Sequence, residues 1–230
     1  MENKNFKDTI LDIFKIMIPE NKVFSRMGSY NDGGYVTIND FSNNDYLISF
    51  GIAGNVDFEN SISNIVFGMD LYDHSIDSIP QYLNNYRFYK EKIGNNSQYV
   101  FDRVPNEKDI ILKIDIEGGE WPFFESLSHE DINRFRQIIM EIHWGIQNEE
   151  INSPEIRLDI LQKINKTHQL VAIHPNNWSG TCSINNVEIP QVIELTYLRK
   201  SDYIFIEGSP SENLFHPNNS KFEELKFIIK

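Results

Sequence analysis

The sequence predicts an α/β fold: a doubly wound, mostly parallel sheet of seven strands with a helix ahead of it. Three observations carry that expectation. Seven apolar runs recur between residues 46 and 198, several of them nearly continuous in Ile, Leu, Val and Met, as strands covered on both faces read. Segments of helical character lie between them, and strand alternating with helix implies parallel crossover units. At 230 residues and 40% hydrophobic content the chain is long enough to bury such a core.

Element by element, MENKNFKDTILDIFKIMIP sets Phe6, Ile10, Ile13, Phe14 and Met17 at helical spacing. A turn-rich stretch around Asn31-Asp32-Gly33-Gly34 leads into a short strand, 35–38. The strands that follow are YLISFGI (46–52), NIVFGMDLYD (64–73), YRFYKEKIG (86–94), IILKIDIE (110–117), QIIMEIHW (137–144), LVAIHP (170–175) and VIELTYL (192–198). A last run, YIFIE (203–207), is expected to pair with its predecessor as a hairpin. Helices are expected at 57–63, 75–84, 121–136 and 153–167, with Pro122 in a first turn and Ser153 as an N-cap before Pro154. Residues 1–230 read as one domain: a lead segment (1–45), a core sheet (46–207) and a tail (208–230) whose last stretch is amphipathic and expected to pack back.

Charge narrows the function. A net charge of −13, with no Lys/Arg-rich run, argues against binding a phosphate backbone, so no nucleic-acid partner is expected. The lone Cys182 forms no internal disulfide, which suits a reducing compartment. The amino-terminal stretch lacks the features of a secretion signal and no run is long enough to span a bilayer, so a cytoplasmic setting is expected.

The run IILKIDIEGGEW raises the chemical question, because carboxylates do not belong in a packed core without partners. Ligands of open parallel sheets bind beyond the carboxyl ends of the strands. Asp115 and Glu117 are two apart and would share a face of an extended chain; Glu141 and His143 repeat the spacing at the end of 137–144. HPNNWSG adds His174, Asn176 and Asn177 one strand later. Singly, each is more simply a cap or a solvated strand end, and Glu120 is expected to be one of these; jointly they have the look of a site.

FGIAGNVDFE is glycine-bearing without being a dinucleotide or phosphate-loop fingerprint, and Asp70 and Asp73 stand at or near the end of the next strand. With LKIDIEGGEW and the Arg26…Asp32-Gly33-Gly34-Tyr35 segment, the pattern resembles class I S-adenosylmethionine-dependent methyltransferases, and more narrowly the FkbM-type and related small-molecule O-methyltransferases, over roughly residues 26–200. The resemblance implies a Rossmann-like methyltransferase fold. It implies that Gly51, Ala53 and Gly54 line the cofactor, that Asp73 reads the ribose with Asp70 as the alternative, and that Ile93 and Gly94 hold the adenine. Asp115 would border the cofactor, and Asp32-Gly33-Gly34 would close over its amino-acid end. G-I-A-G departs from the family's usual G-x-G spacing, which leaves the backbone contacts open.

A sugar hydroxyl is a weak nucleophile, so its methylation needs a base or a metal. In one version His143 or His174 is the base, oriented by Asp115 or Glu141. In the other, Asp115 and Glu141 with His143 or Glu117 hold Mg²⁺ or Mn²⁺, a requirement suggested by the mutual repulsion of the acids. Trp121, Trp144 and Trp178 follow those strand ends and would stack on an acceptor, with Asn176 and Asn177 beside them. Arg26 and Arg199 could meet an acceptor's phosphate or carboxylate. The acceptor implied is a sugar or nucleotide-linked sugar, as in surface polysaccharide synthesis. Two rival readings stand: a non-catalytic nucleotide-binding domain, and a metal-dependent α/β hydrolase using the Asp115/Glu117/Glu141/His143 cluster.

Overall fold

The structure is a computed structural model that describes residues 6–144, 153–225 and 227. Residues 1–5 of the expected first helix, and 226 and 228–230 of the tail, lie outside the described residues.

Seven strands form the central sheet: β1 (Asp45–Phe50), β2 (Gly68–Tyr72), β3 (Tyr86–Tyr89), β4 (Asp109–Ile114), β5 (Phe135–His143), β6 (His168–Pro175) and β7 (Val192–Arg199). Their order across the sheet is β3-β2-β1-β4-β5-β7-β6. The pairs within β3-β2-β1-β4-β5 are parallel, and β7 runs antiparallel to both β5 and β6. The order reverses between β1 and β4, which opens a crevice at their carboxyl ends, the usual place for a ligand in such sheets.

Alternation along the strands divides the core. Tyr46, Ile48, Phe50, Ile110, Leu112 and Ile114 join one layer with α1 (Phe6–Ile13), α3 (Glu120–Ser126) and α5 (Pro154–Thr167). Leu47, Ile111 and Ile139 join the opposite layer with α2 (Asp57–Ile62) and Tyr35 of a two-stranded ribbon, Phe24–Gly28 paired with Gly34–Ile38. That ribbon is fastened to the sheet by Ile38 N donating to Gln137 Oε1 (3.0 Å) and Thr196 Oγ1 donating to the Val36 carbonyl (2.6 Å).

Four expectations are corrected. Residues 75–84 contain no helix; Pro80 and the Asp, Ser and Asn residues around it favour turns, and a chain of bends replaces it. The expected 121–136 helix breaks in two, because Ser128 and Asp131 form a reciprocal capping box that starts α4 (His129–Asn133) afresh. Ser153 occupies the N-cap position of α5, but its hydroxyl donates to Glu155 and caps nothing. The 203–207 run contributes only Phe205–Ile206, which pairs with Ile18–Pro19 and not with β7, whose two edges are already taken by β5 and β6. A hairpin absent from the sequence reading joins Thr181–Ile184 to Val187–Pro190 through Asn185 and Asn186, both at positive φ as a primed turn requires.

Candidate active site

On the β1 side, Gly51 sits at φ +75°, and a Cβ there would meet the Asp115 carbonyl at 1.7 Å. Only glycine lets the β1 and β4 ends approach so closely. The Ala53 amide donates to Asp73 Oδ2 (2.8 Å), while Asp73 Oδ1 accepts from the Ser75 amide (2.7 Å) and hydroxyl (2.6 Å). Burial works to raise Asp73, but these donors hold it below the ordinary carboxylate value. A Cβ on Gly54 or Gly94 would meet nothing within 4 Å, so both positions face open space, whereas the Ile93 side chain is buried in the core. Asp70 is fully buried in β2 and takes a two-point ion pair from Arg87 (2.7 and 2.9 Å) and the Tyr46 hydroxyl (2.8 Å). Its oxygens hold the fold and face no cleft.

Gly33, at φ +82°, packs on Asn55, whose amide donates to the Asp32 carbonyl and Ser29 hydroxyl. The turn with Gly33 and Gly34 is therefore docked on the loop that carries Gly54. Arg26 holds that turn through Nε and Nη2, which donate to the carbonyls of Ser29 (3.1 Å) and Asn31 (2.7 Å), while its buried Nη1 has no hydrogen-bond partner among the described residues. Arg199 pairs with Asp109 and Asp202, at the opposite end of the strands from the crevice.

Beyond β4 and β5 lies a cleft of about 310 Å³ lined by Asp115, Glu117, Glu141, His143, Asn176 and Trp178, with Asp32 and Gln191 on its walls. Glu141 and His143 share a face of β5, as their spacing implies. Asp115 and Glu117 meet by a different route: β4 stops at Ile114, and Glu117 turns at φ +53° to swing its carboxylate back. His143 Nε2 then faces Glu141 Oε1 (3.3 Å), Glu117 Oε2 (3.5 Å) and Asp115 Oδ1 (3.9 Å). Burial lowers the imidazole's proton affinity, yet Glu120 and Glu141 outweigh it and carry His143 up to about 11. Burial first, then the Asp115 charge, push Glu141 up to about 8.

One oxygen each of Asp115 and Glu117 and one nitrogen of His143 lie within 4.8 Å of one another, a hard oxygen-and-imidazole set suited to Mg²⁺ or Mn²⁺. The expected triad with Glu141 shifts to one with Glu117. Glu141 Oε2 instead takes the Asn176 amide (3.0 Å).

His174 stays out of this group. It lies beyond Glu194 of β7, with Nδ1 2.9 Å from Glu194 and Nε2 2.6 Å from Glu224 of the tail, and those carboxylates outweigh burial to raise it. Asn177 is likewise occupied: its side chain donates to the carbonyls of Asn219, Phe222 and Glu223 and accepts the Asn219 amide, pinning the tail. Trp121 and Trp144 pack against each other in the core, tilted by 52°, and of the three tryptophans only Trp178, 58% exposed, faces the cleft.

The sequence reading missed three partners. Lys113 is buried under the site and donates to the Gly51 carbonyl (2.6 Å), with Asp115 3.9 Å away; its signal was a lone lysine inside an apolar run. The Tyr35 hydroxyl donates to Asp115 Oδ2 (3.3 Å). Glu120, read as a cap or solvated end, is fully buried against His143.

The Methyltransferase FkbM domain matches residues 37–170, more than half of the chain and the stretch that builds β1 to β5. The chain belongs to the FkbM methyltransferase family. It is an S-adenosylmethionine-dependent methyltransferase, and its sheet is the Rossmann-like one of that class. No curated protein matches the chain. Solved structures similar to this FkbM methyltransferase include an rRNA methylase from Streptococcus thermophilus (6% identity, TM-score 0.42, 69% of this chain and 89% of that one). The fibrillarin/Nop5p complex is another (11%, 0.44, 69% and 74%). A third is the N-methyltransferase NodS from Bradyrhizobium japonicum WM9 in complex with S-adenosyl-L-homocysteine (7%, 0.38, 67% and 77%). No helix among the described residues is long and apolar enough to cross a membrane.

Proposed function

We propose that this methyltransferase methylates a hydroxyl of a sugar or nucleotide-linked sugar, in surface polysaccharide synthesis carried out in the cytoplasm. The observation that carries this reading is the cleft itself. Three carboxylates and an imidazole converge beside an exposed tryptophan and the polar groups of Asn176 and Gln191. Such a lining suits a polar ring with one apolar face, and its negative charge disfavours an anionic polymer such as nucleic acid.

S-adenosylmethionine supplies a methyl group made electrophilic by its sulfonium. The Gly51–Gly54 loop, Gly33-Gly34 and Asp73 would hold it, with the Asp73 carboxylate turned to the ribose hydroxyls. Holding donor and acceptor in line accounts for much of the acceleration, on the order of 7–11 kcal/mol in favourable cases. The acceptor hydroxyl would enter between Asp115, Glu141 and His143, where its proton has acceptors within reach. Asp115, Glu117 and His143 fit Mg²⁺ or Mn²⁺, which would lower the hydroxyl's pKa. The crowding of carboxylates around Nε2 favours this over a free histidine base, since that field holds a proton on Nε2 that a divalent cation, attracted by the same carboxylates, can displace.

The test is incubation with S-adenosylmethionine and a panel of nucleotide sugars and free glycans, with and without Mn²⁺, reading S-adenosylhomocysteine and a one-methyl mass gain. A methylated sugar hydroxyl is the expected product. Turnover on amines or nucleic acid alone, with none on sugars, would overturn the reading.

A further inference from the structure

One short segment holds His143 by both its backbone and its ring. Glu120 Oε1 accepts the His143 amide (2.8 Å) and lies 3.1 Å from ring Nδ1, while Glu120 Oε2 accepts the Gly118 amide (2.9 Å). The indole of the adjacent Trp121 donates to the His143 carbonyl (3.1 Å), and so does Arg157 (3.3 Å). Glu120 is wholly buried, and an ionised carboxylate is tolerated there only when donors surround it. A helix cap would serve its own first turn. This carboxylate reaches across to the end of another strand.

We propose that Glu120 is the positioning residue of the site, fixing His143 so that Nε2 is the nitrogen presented to the acceptor. The inference rests on the reading that the acceptor occupies the cleft beyond β4 and β5. An ionised carboxylate only accepts hydrogen bonds, so the nitrogen facing it carries the hydrogen, and that nitrogen is Nδ1. Nε2 is left toward Asp115, Glu117 and Glu141, the one ring nitrogen whose hydrogen faces the cleft and can be given up to a base or displaced by a cation. The same orientation serves either chemistry, and carboxylates behind a histidine commonly set its tautomer in this way. The clamp on the backbone amide and carbonyl stops β5 from sliding and turning the ring away.

The test uses the full chain labelled with ¹⁵N-histidine and a ring ¹H–¹⁵N correlation at one fixed pH, with His143 assigned by its disappearance in His143→Gln. A downfield, slowly exchanging proton on Nδ1 is expected. Glu120→Gln keeps the shape and removes the charge, and should speed exchange of that proton by about tenfold or more, with the circular dichroism spectrum unchanged. An Nδ1 proton indifferent to Glu120→Gln would overturn the proposal. If that variant does not fold, the wild-type spectrum decides: a ring hydrogen on Nε2 alone, with none on Nδ1, overturns it, and one on Nδ1 supports it. No acceptor is needed, so failure to methylate sugars would sink the functional reading and leave this result standing.

Discussion

The Ala53 amide and the Asp73 carboxylate are joined at 2.8 Å, which makes the loop after β1 and the end of β2 one structural unit. Whatever sits on that loop is therefore within reach of the carboxylate.

Asp73→Ala should lower the affinity for S-adenosylhomocysteine by at least about tenfold, the loss of about 1.4 kcal/mol from charge-assisted bonds to the ribose. Calorimetric titration measures it. Unchanged affinity would exclude Asp73 from the ribose site.

Asp70→Asn should do the reverse. Breaking the pair with Arg87 leaves polar groups unmatched in β2; because Arg87 is half exposed and screened by solvent, the cost falls below that of a fully buried pair, to about 2 kcal/mol. Chemical denaturation should show that loss while S-adenosylhomocysteine binding is retained. Loss of binding at full stability would reverse the assignment of the two aspartates.

Gly51→Ala places a methyl 1.7 Å from the Asp115 carbonyl at a backbone angle that side chains avoid. The strain of the angle alone costs about 1–3 kcal/mol, so Tm should fall by several degrees. The displaced Asp115 should also weaken any ligand held between β1 and β4. A variant as stable as the wild type would mean that the two strand ends separate easily.

Much of this arrangement was legible in the residues, and the exceptions have physical reasons. Period two placed Glu141 and His143 on one face because β5 continues through them. It brought Asp115 and Glu117 together for the wrong reason, since the chain turns at Glu117. Glu120 and Lys113 were hidden by their neighbours: an acid after two glycines reads as a cap, and a lysine in an apolar run reads as an edge. His174 looked like a site residue because its partner Glu224 lies in the tail, and contacts across fifty residues of chain leave no local pattern. The pairing of Ile18–Pro19 with Phe205–Ile206 was invisible for the same reason.

His168 supplies a pH prediction away from the site. It is fully buried, with Nε2 donating to the Phe135 carbonyl (2.8 Å) and Nδ1 facing the Thr167 hydroxyl (2.9 Å), and burial pushes it down to about 4. The folded state therefore binds fewer protons than the unfolded one between about 4 and 6.5. Its stability contribution is present above 6.5 and lost as pH falls through that window, by about 3 kcal/mol in total. The raised groups His143, His174 and Glu141 act in the opposite sense, so the difference between His168→Gln and wild type isolates the effect. Urea unfolding at pH 7 and pH 4.5 should show a smaller acid loss in the variant, and equal losses would refute it.

Glu117 separates the two chemistries at the cleft. Its carboxylate is largely exposed and touches His143 Nε2 from the solvent side, so removing it should cost little stability. If Asp115, Glu117 and His143 hold a divalent cation, Mn²⁺ at a hundred times its dissociation constant stabilises the fold by about 2.7 kcal/mol, a rise of several degrees in Tm. Glu117→Gln should then reduce that rise sharply while leaving Tm without metal nearly unchanged, and His143→Gln should abolish it. If no cation binds, neither wild type nor variant responds to Mn²⁺. Turnover would then fall to Glu141, pushed up to about 8 by burial and Asp115, and its rate would climb as pH rises toward that value. Thermal shifts with Mn²⁺, followed by the pH dependence of turnover, distinguish the two.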